Sequence, residues 1–232
     1  MARRLIHDYE AMLEGFKESK ETEIPIRIAS YEIFTSYFMG TLIRDYFPTR
    51  TFKVIERVPG QIEDSVRDRS ADFGLTYAPI LHPELKFTKV GQFEKRVYAR
   101  KGFFKNIPFS EIPFTAPITT ISGSPTGHTN LDGWPSDIPR KIVYQFELME
   151  TALETCRQGL TAIFIPEFII PLHNELLKED NRLVMIPIPP GMAPVKRTIY
   201  LVQRQSDPED KTAKTIARAI RIVTRKSVLD VK

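Results

Sequence analysis

The stretch Ile26-Arg27-Ile28-Ala29-Ser30-Tyr31-Glu32 decides the fold of this chain, together with the amphipathic segment 33–47 that follows it and closes on Pro48. Ile26 and Ile28 alternate with Arg27, and this pattern predicts a strand. Ser30 is typical of a helix N-cap, whose side-chain oxygen accepts from the first free backbone N–H groups. We therefore expect a strand that passes directly into a helix. In open α/β sheets such junctions bind small anions and polar ligands.

The remainder of the chain continues this alternation of strands and helices. Apolar and turn-forming residues predict strands at 52–55, 71–76, 119–121, 143–145, 162–166, 182–187 and 198–202. Helices are predicted at 61–69, from about 146 to 156, and after the start signal Ser206-Asp207-Pro208-Glu209-Asp210. The pattern is that of an α/β protein.

The composition indicates a folded chain of one large unit or two small ones. The chain has 232 residues, of which 42% are hydrophobic and 27% are charged. No run approaches the roughly 18 apolar residues of a membrane span, and Met1-Ala2-Arg3-Arg4 leads into a charge-rich amphipathic segment. We therefore expect a cytoplasmic protein that does not enter a membrane.

Several classes of site find no support in the sequence. The single cysteine, Cys156, excludes an intrachain disulfide and is expected to be a packed thiol. The four histidines lack ligand-like spacing, so no metal site is expected. The loop 122–127 lacks the spacing of a nucleophile elbow, and no Gly-rich phosphate loop precedes a lysine. We expect no catalytic residues and no cofactor.

The net charge of +4 and the pI near 9.1 do not by themselves indicate DNA binding. The basic residues are spread among almost as many acidic ones. A cluster near the C-terminus is predicted to lie on the solvated face of the last helix, and consists of Arg218, Arg221, Arg225 and Lys226.

The order and spacing of these elements resemble the effector-binding domain of LysR-type transcription regulators. The resemblance includes Tyr46-Phe47-Pro48 at the end of the first helix and Asp72-Phe73-Gly74-Leu75 in the third strand. It includes the helix, Gly turn, apolar strand and Pro of residues 152–166. The resemblance covers nearly the whole chain. It implies a two-lobed, type II periplasmic-binding-protein-like α/β fold with two chain crossovers and an N-terminal linker helix.

The same resemblance implies the domain limits. Residues 1–20 are expected to form the linker helix, residues 21–93 and 201–232 lobe I, and residues 94–200 lobe II. No winged helix-turn-helix is visible ahead of the first strand, so we expect the sensing half of a longer regulator. Such a domain would reach DNA only through an N-terminal domain. The alternative is a freestanding or transporter-associated solute-binding protein of the same fold.

In this family the effector lies in the cleft between the lobes. The resemblance assigns its contacts to Ser30, Tyr31, Val58, Pro59, Thr76, Tyr77, Ser122, Gly123 and Phe146. Hydroxyls and helix N-terminal N–H groups suit a small molecule with a polar or anionic head, while Tyr31, Val58 and Phe146 suit an apolar body. Two simpler interpretations stay open: Ser30 only caps its helix, and the loop at 122–128 only turns.

Residues 57 and 58 depart from the family pattern. Val58 stands where many members carry a small polar residue, and Arg57 stands where glycine is common. Arg57 either supplies a charge for an anionic ligand or points to solvent.

The resemblance also implies how the domain signals. A ligand that favours one arrangement of the lobes shifts the packing of subunits in a dimer or tetramer. In a side-by-side dimer, helix 33–47 packs against a lobe II helix of its neighbour. The aromatic residues of that segment also fit a helix buried inside its own lobe.

Overall fold

The computed structural model describes residues 24–118, 132–189, 191–192, 194–208 and 211–229. Within these residues, strands form one mixed sheet with helices packed against it, which confirms the predicted α/β class. The elements are β1 (Ile26–Ser30), α1 (Glu32–Tyr37), α2 (Met39–Tyr46), β2 (Phe52–Glu56), α3 (Gln61–Arg67), β3 (Phe73–Thr76), β4 (Leu85–Arg100), β5 (Pro113–Pro117), β6 (Lys141–Phe146), α4 (Met149–Arg157), β7 (Ala162–Pro166), α5 (Ile169–Asn174), β8 (Leu183–Met185), β9 (Val195–Arg204) and α6 (Lys211–Leu229). The predicted linker helix 1–20 and the strand 119–121 lie outside the described residues.

The sheet has the strand order β2-β1-β3-β9-β4-β7-β5-β6, with β8 added beside β4. β1 pairs in parallel with β2 and β3, and this group forms lobe I. β5 pairs in parallel with β6 and β7, and this second group forms lobe II. The long antiparallel strands β4 and β9 lie between the two groups. The two-lobed architecture with two crossovers is therefore confirmed.

The segment after β1 is helical, as predicted, but it is not one continuous helix. Phe38 separates α1 from α2 and has φ −118°, outside the range of a regular helix. Its backbone N–H still donates to the oxygen of Phe34 at 3.0 Å, and its own oxygen accepts from Leu42 at 2.9 Å. Phe38 is buried, and Gly40 lowers the local helix propensity. The Phe38 ring is therefore packed in the core although its backbone departs from regular helix geometry.

The core has two parts. The larger cluster joins the lobe I strands to α1, α2, α3 and α6 and extends under α4 and α5. The smaller cluster lies in lobe II around Trp134, whose ring contacts those of Phe114 and Phe164 edge to face. The amphipathic character predicted for the last helix is confirmed, because Ile216 and Ile220 are buried while Arg218 is exposed.

Candidate functional site

A cavity of about 580 Å³ lies between the lobes. Residues at the carboxyl ends of both parallel strand groups line it. Tyr31, Val58 and Tyr77 follow the strands of lobe I, and Pro117, Phe146 and Pro166 end the strands of lobe II. The carboxyl edge is where open α/β sheets bind ligands, and the volume suits a small molecule.

Four of the nine predicted contact residues line this cavity, namely Tyr31, Val58, Tyr77 and Phe146. The rings of Tyr31 and Tyr77 stack with their centroids 4.7 Å apart. Burial raises the pKa of Tyr31 and of Tyr77 above the usual value, so both phenols stay neutral near pH 7. This pair gives the cavity a rigid aromatic wall with neutral hydroxyl groups.

Ser30 does not cap the helix, and that prediction is wrong. Tyr31 is the N-cap residue of α1, and no side chain caps that helix end. Ser30 ends β1 with no exposed surface, and its hydroxyl donates to the oxygen of Leu75 at 3.2 Å. Because β1 and β3 are adjacent parallel strands, this hydroxyl bridges them inside the lobe and does not reach the cavity.

Of the other predicted contacts, Thr76 and Pro59 do not line the cavity. Thr76 is fully buried, and its hydroxyl oxygen accepts from the N–H of Ala78 at 3.1 Å. Its Oγ1 also lies 3.4 Å from the Tyr31 hydroxyl, so it supports the tyrosine that lines the site. Pro59 precedes α3 and does not line the cavity. Ser122 and Gly123 lie outside the described residues.

Lys95 lines the cavity and was not predicted. The residue is only 4% exposed, and its Nζ donates to the backbone oxygen of Asp132 at 2.8 Å. The same Nζ lies 4.8 Å from the centre of the Tyr77 ring. The periodicity of the strand could have identified Lys95, because it lies on the same face of β4 as the buried residues Phe93 and Val97. A lysine in the apolar phase of a strand is seldom fully buried without a partner for its charge.

Asp132 fixes the surroundings of Lys95. Its carboxylate accepts from Arg140 Nη1 at 2.6 Å and from the N–H of Trp134 at 3.1 Å. The side chains of Asp132 and Arg140 are 6% and 4% exposed, so this is a buried ion pair. The Arg140 guanidinium also stacks over Trp134, 4.6 Å from the ring centre. The pair holds the Asp132 backbone oxygen in place against Lys95.

The N-terminus of α4 faces the cavity, but a side chain of the same protein already occupies it. The carboxylate of Glu32, from lobe I, accepts from the N–H of Met149 at 2.6 Å and of Glu150 at 3.1 Å. Anions at a helix N-terminus are stabilised by the free N–H groups and the helix dipole. Glu32 therefore takes the position that an anionic ligand would take at this helix.

The cavity carries more acidic than basic side chains among the described residues. Its acidic lining consists of Glu32, Glu56, Asp132 and Glu147, and its basic lining of Arg57 and Lys95. Arg57 is exposed and donates to the oxygen of Glu56 at 2.9 Å, so it lies at the rim. Lys95 is the buried one of the two cations.

Two further observations concern the described residues as a whole. No three His, Cys, Asp or Glu side chains among them come together in a group that could hold a metal ion. None of the helices that the structure describes is long and apolar enough to cross a membrane.

One family of known proteins matches most of the chain. A family model described as the LysR substrate binding domain matches residues 19–224, which is most of the chain. The region matched contains both lobes and the cavity between them.

Solved structures of the same fold include regulators from several bacteria. The Corynebacterium glutamicum OxyR C206 mutant has 15% identity and a TM-score of 0.63, covering 98% of this chain and 73% of that chain. The regulatory domain of HypT from Salmonella typhimurium, with bromide bound, has 14% identity and a TM-score of 0.65, covering 87% and 96%. Full-length LysG from C. glutamicum with bound effector Arg has 13% identity and a TM-score of 0.59, covering 97% and 76%. At these identities the similarity concerns the fold.

Proposed function

The chain belongs to the LysR substrate-binding domain family, and from this premise we propose that its interlobe cavity binds the small-molecule effector of a transcription regulator. The cavity carries this proposal, because the carboxyl ends of both parallel strand groups meet there around about 580 Å³ of free space. Among similar structures, LysG holds the effector Arg and the HypT regulatory domain holds bromide. Ligands of that size fit a cavity of this volume.

We propose that the domain senses its effector and does not transform it. A ligand that contacts both lobes binds one lobe arrangement more tightly than others, and this difference in affinity shifts the equilibrium between arrangements. The domain would act on DNA through a helix-turn-helix domain joined ahead of it, in the cytoplasm. The family match favours this regulator over a transporter-associated solute-binding protein.

We further propose that the lobe limits lie at residues 21–93 with 201–232, and 94–200. Strand pairing supports the boundary between residues 93 and 94. Lys95 is the last residue of β4 that pairs with β9, through Val195, and it also pairs with Pro166 of β7. β4 therefore changes partners beside the predicted limit, which is where a hinge between lobes belongs.

We propose a homo-oligomer, as a dimer or tetramer. Phe34, Phe38 and Phe47 are buried in the chain's own core, so they do not supply the predicted helix contact. The edge strand β6 exposes Ile142, Val143 and Tyr144, each by 41–44%. An exposed apolar edge strand is a natural pairing surface for a second copy.

A ligand screen with a cavity-blocking variant tests the effector site. A thermal-shift screen of small carboxylates, amino acids and aromatics should find compounds that raise the melting temperature, because they bind the folded state. Val58→Trp places an indole in the cavity and should abolish those shifts. The control Val54→Trp changes a valine on β2 that lies outside the cavity and should keep them. Equal shifts in both variants would place the ligand elsewhere.

A further inference from the structure

The ammonium group of Lys95 has hydrogen-bonding capacity that the described residues leave unused. A lysine ammonium carries three N–H donors. Among the described residues, Nζ makes one hydrogen bond, to the Asp132 backbone oxygen, and no ion pair. The Asp132 carboxylate is bonded to Arg140 and to the N–H of Trp134 instead. A buried cation that lacks a carboxylate partner is costly unless a ligand supplies one.

Lys95 lies at the junction of the two lobes. It lies on β4 where pairing changes from β9 to β7. Its side chain is held between Tyr77, which follows β3 of lobe I, and Asp132, which belongs to lobe II. A ligand group bound to Nζ would therefore lie where the two lobes meet.

We propose that Lys95 is the specificity-determining cation of the cavity and binds the carboxylate of a monoanionic effector with an apolar or aromatic body. This inference rests on the proposed function, since it names the ligand class of the same cavity. The two unused N–H donors suit carboxylate oxygens, and charge-assisted hydrogen bonds of this kind are stronger than neutral ones.

The lining of the cavity selects a single negative charge. Glu32, Glu56 and Glu147 line the same space, so a second anionic group on the ligand would meet like charges. Most of the uncharged wall is apolar or aromatic, as at Phe146 and Ile163, with Gln61 and Thr115 as its neutral polar side chains. A monocarboxylate therefore matches the lining better than a dicarboxylate or phosphate does.

The burial of Lys95, together with its charged neighbours, gives the binding a pH dependence. Burial lowers the pKa of Lys95 to about 7, Asp132 opposes this shift, and Arg197 and Arg140 add to it. Tyr77, beside Nζ, stays neutral because burial raises its pKa. In the empty cavity the amine loses its proton as the pH rises through about 7, whereas a bound carboxylate keeps the proton in place. Carboxylate affinity should therefore be highest below pH 7 and weaken above it, with proton uptake on binding.

Matched acid and amide probes test the proposal. The probes are benzoate with benzamide, phenylacetate with phenylacetamide, and hexanoate with hexanamide, together with inorganic phosphate. The proteins are the full chain, Lys95→Met, the cavity-blocking variant Val58→Trp and the control Lys89→Met, which removes an exposed lysine from the same strand as Lys95. Melting temperature identifies binders, and calorimetry in two buffers of different ionisation enthalpy gives the dissociation constant and the protons taken up.

The expected result is that one or more carboxylates bind and their amides and phosphate do not. Lys95→Met should weaken binding about tenfold or more, in line with the loss of a hydrogen bond to a charged group, and Lys89→Met should not. Between about pH 7 and pH 8 the affinity of the unmodified chain should fall roughly fivefold, with protons taken up.

Three outcomes would overturn the inference, and a fourth would overturn the proposed function on which it rests. An amide that binds as tightly as its acid shows that charge is not recognised. A carboxylate that binds Lys95→Met unchanged shows that the anchor lies elsewhere. Binding of neutral compounds alone, blocked by Val58→Trp, refutes the role of Lys95 while the effector cavity stands, whereas failure of Val58→Trp to block any ligand refutes the cavity itself.

Discussion

The carboxylate of Glu32 accepts a hydrogen bond from the backbone N–H of Met149 at 2.6 Å, although the two residues are 117 positions apart in the chain. Glu32 begins α1 in lobe I and Met149 begins α4 in lobe II. A second polar contact joins the same two helices, because the Tyr37 hydroxyl donates to the Glu150 carboxylate at 3.0 Å. Side chains of α1 therefore join the two lobes beside the cavity.

Removing the Glu32 carboxylate should loosen this contact between lobes. Glu32→Ala leaves two N–H groups of α4 without their acceptor, so we expect the free energy of unfolding to fall by about 1 kcal/mol. The radius of gyration from small-angle X-ray scattering should rise as the lobes separate. Urea denaturation supplies the stability measurement.

Glu147→Ala is the matched control for this change. Glu147 also lines the cavity and lies just ahead of α4, but it is exposed and no hydrogen bond joins its side chain to the described residues. Glu147→Ala should leave the free energy of unfolding and the radius of gyration nearly unchanged. If Glu32→Ala and Glu147→Ala behave alike, the hydrogen bonds to α4 do not hold the lobes.

The sequence predicted the aromatic part of this site better than its charged part. Tyr31 and Tyr77 follow predicted strands directly, so their place at the carboxyl edge depends only on local order along the chain. The predicted role of Ser30 was wrong because its hydroxyl can bond either to the end of a helix or to the backbone of a neighbouring strand. The Leu75 oxygen that it bonds lies 45 residues away, and local propensity contains no information about it.

Lys95 and Glu32 illustrate the same difficulty. The lysine is in phase with buried residues, but its partner is a backbone oxygen in a connecting segment of lobe II. Glu32 looks like an ordinary first-turn acid of its own helix, and in the structure it serves the first turn of another helix. Such contacts form only when both lobes are assembled.

The thiol of Cys156 should resist chemical modification while the protein is folded. It is fully buried on the inner face of α4, its Sγ lies 3.6 Å from the oxygen of Tyr98, and burial raises its pKa to about 12. Because the thiolate is the reactive form, alkylation by iodoacetamide near pH 8 should be slower by about a hundredfold or more than in the urea-unfolded chain. Mass spectrometry of the modified fraction over time measures the rate. Equal rates in the folded and unfolded chain would contradict the packed position.

The fold itself was largely accessible from the sequence because most of its elements carry a clear period. β1 alternates Ile26 and Ile28 with Arg27, β7 is a short apolar run, and α6 has a regular apolar face. The break at Phe38 was not accessible in the same way. Its cause is the burial of an aromatic ring in a core whose other members come from distant strands.

Gly74 and Gly40 should respond to alanine with opposite signs. Gly74 lies in the middle of β3, where an added Cβ would be 2.8 Å from Ile62 Cγ2 and 3.1 Å from the Cβ of Val202. Both neighbours are branched and packed, so Gly74→Ala should lower the free energy of unfolding by about 1–3 kcal/mol.

Gly40 provides the comparison because it lies in α2, where an alanine Cβ would have no heavy atom of another element within 4 Å. Alanine there removes the entropic cost of a helical glycine without a clash, so Gly40→Ala should raise the free energy of unfolding by about 0.5–1 kcal/mol. Urea denaturation of both variants at one pH, with Trp134 fluorescence as the signal, gives the two differences directly. If Gly74→Ala is stabilised instead, Ile62 of α3 and Val202 of β9 can shift to make room for the added methyl group. The close packing around β3 would then not explain why glycine stands at position 74.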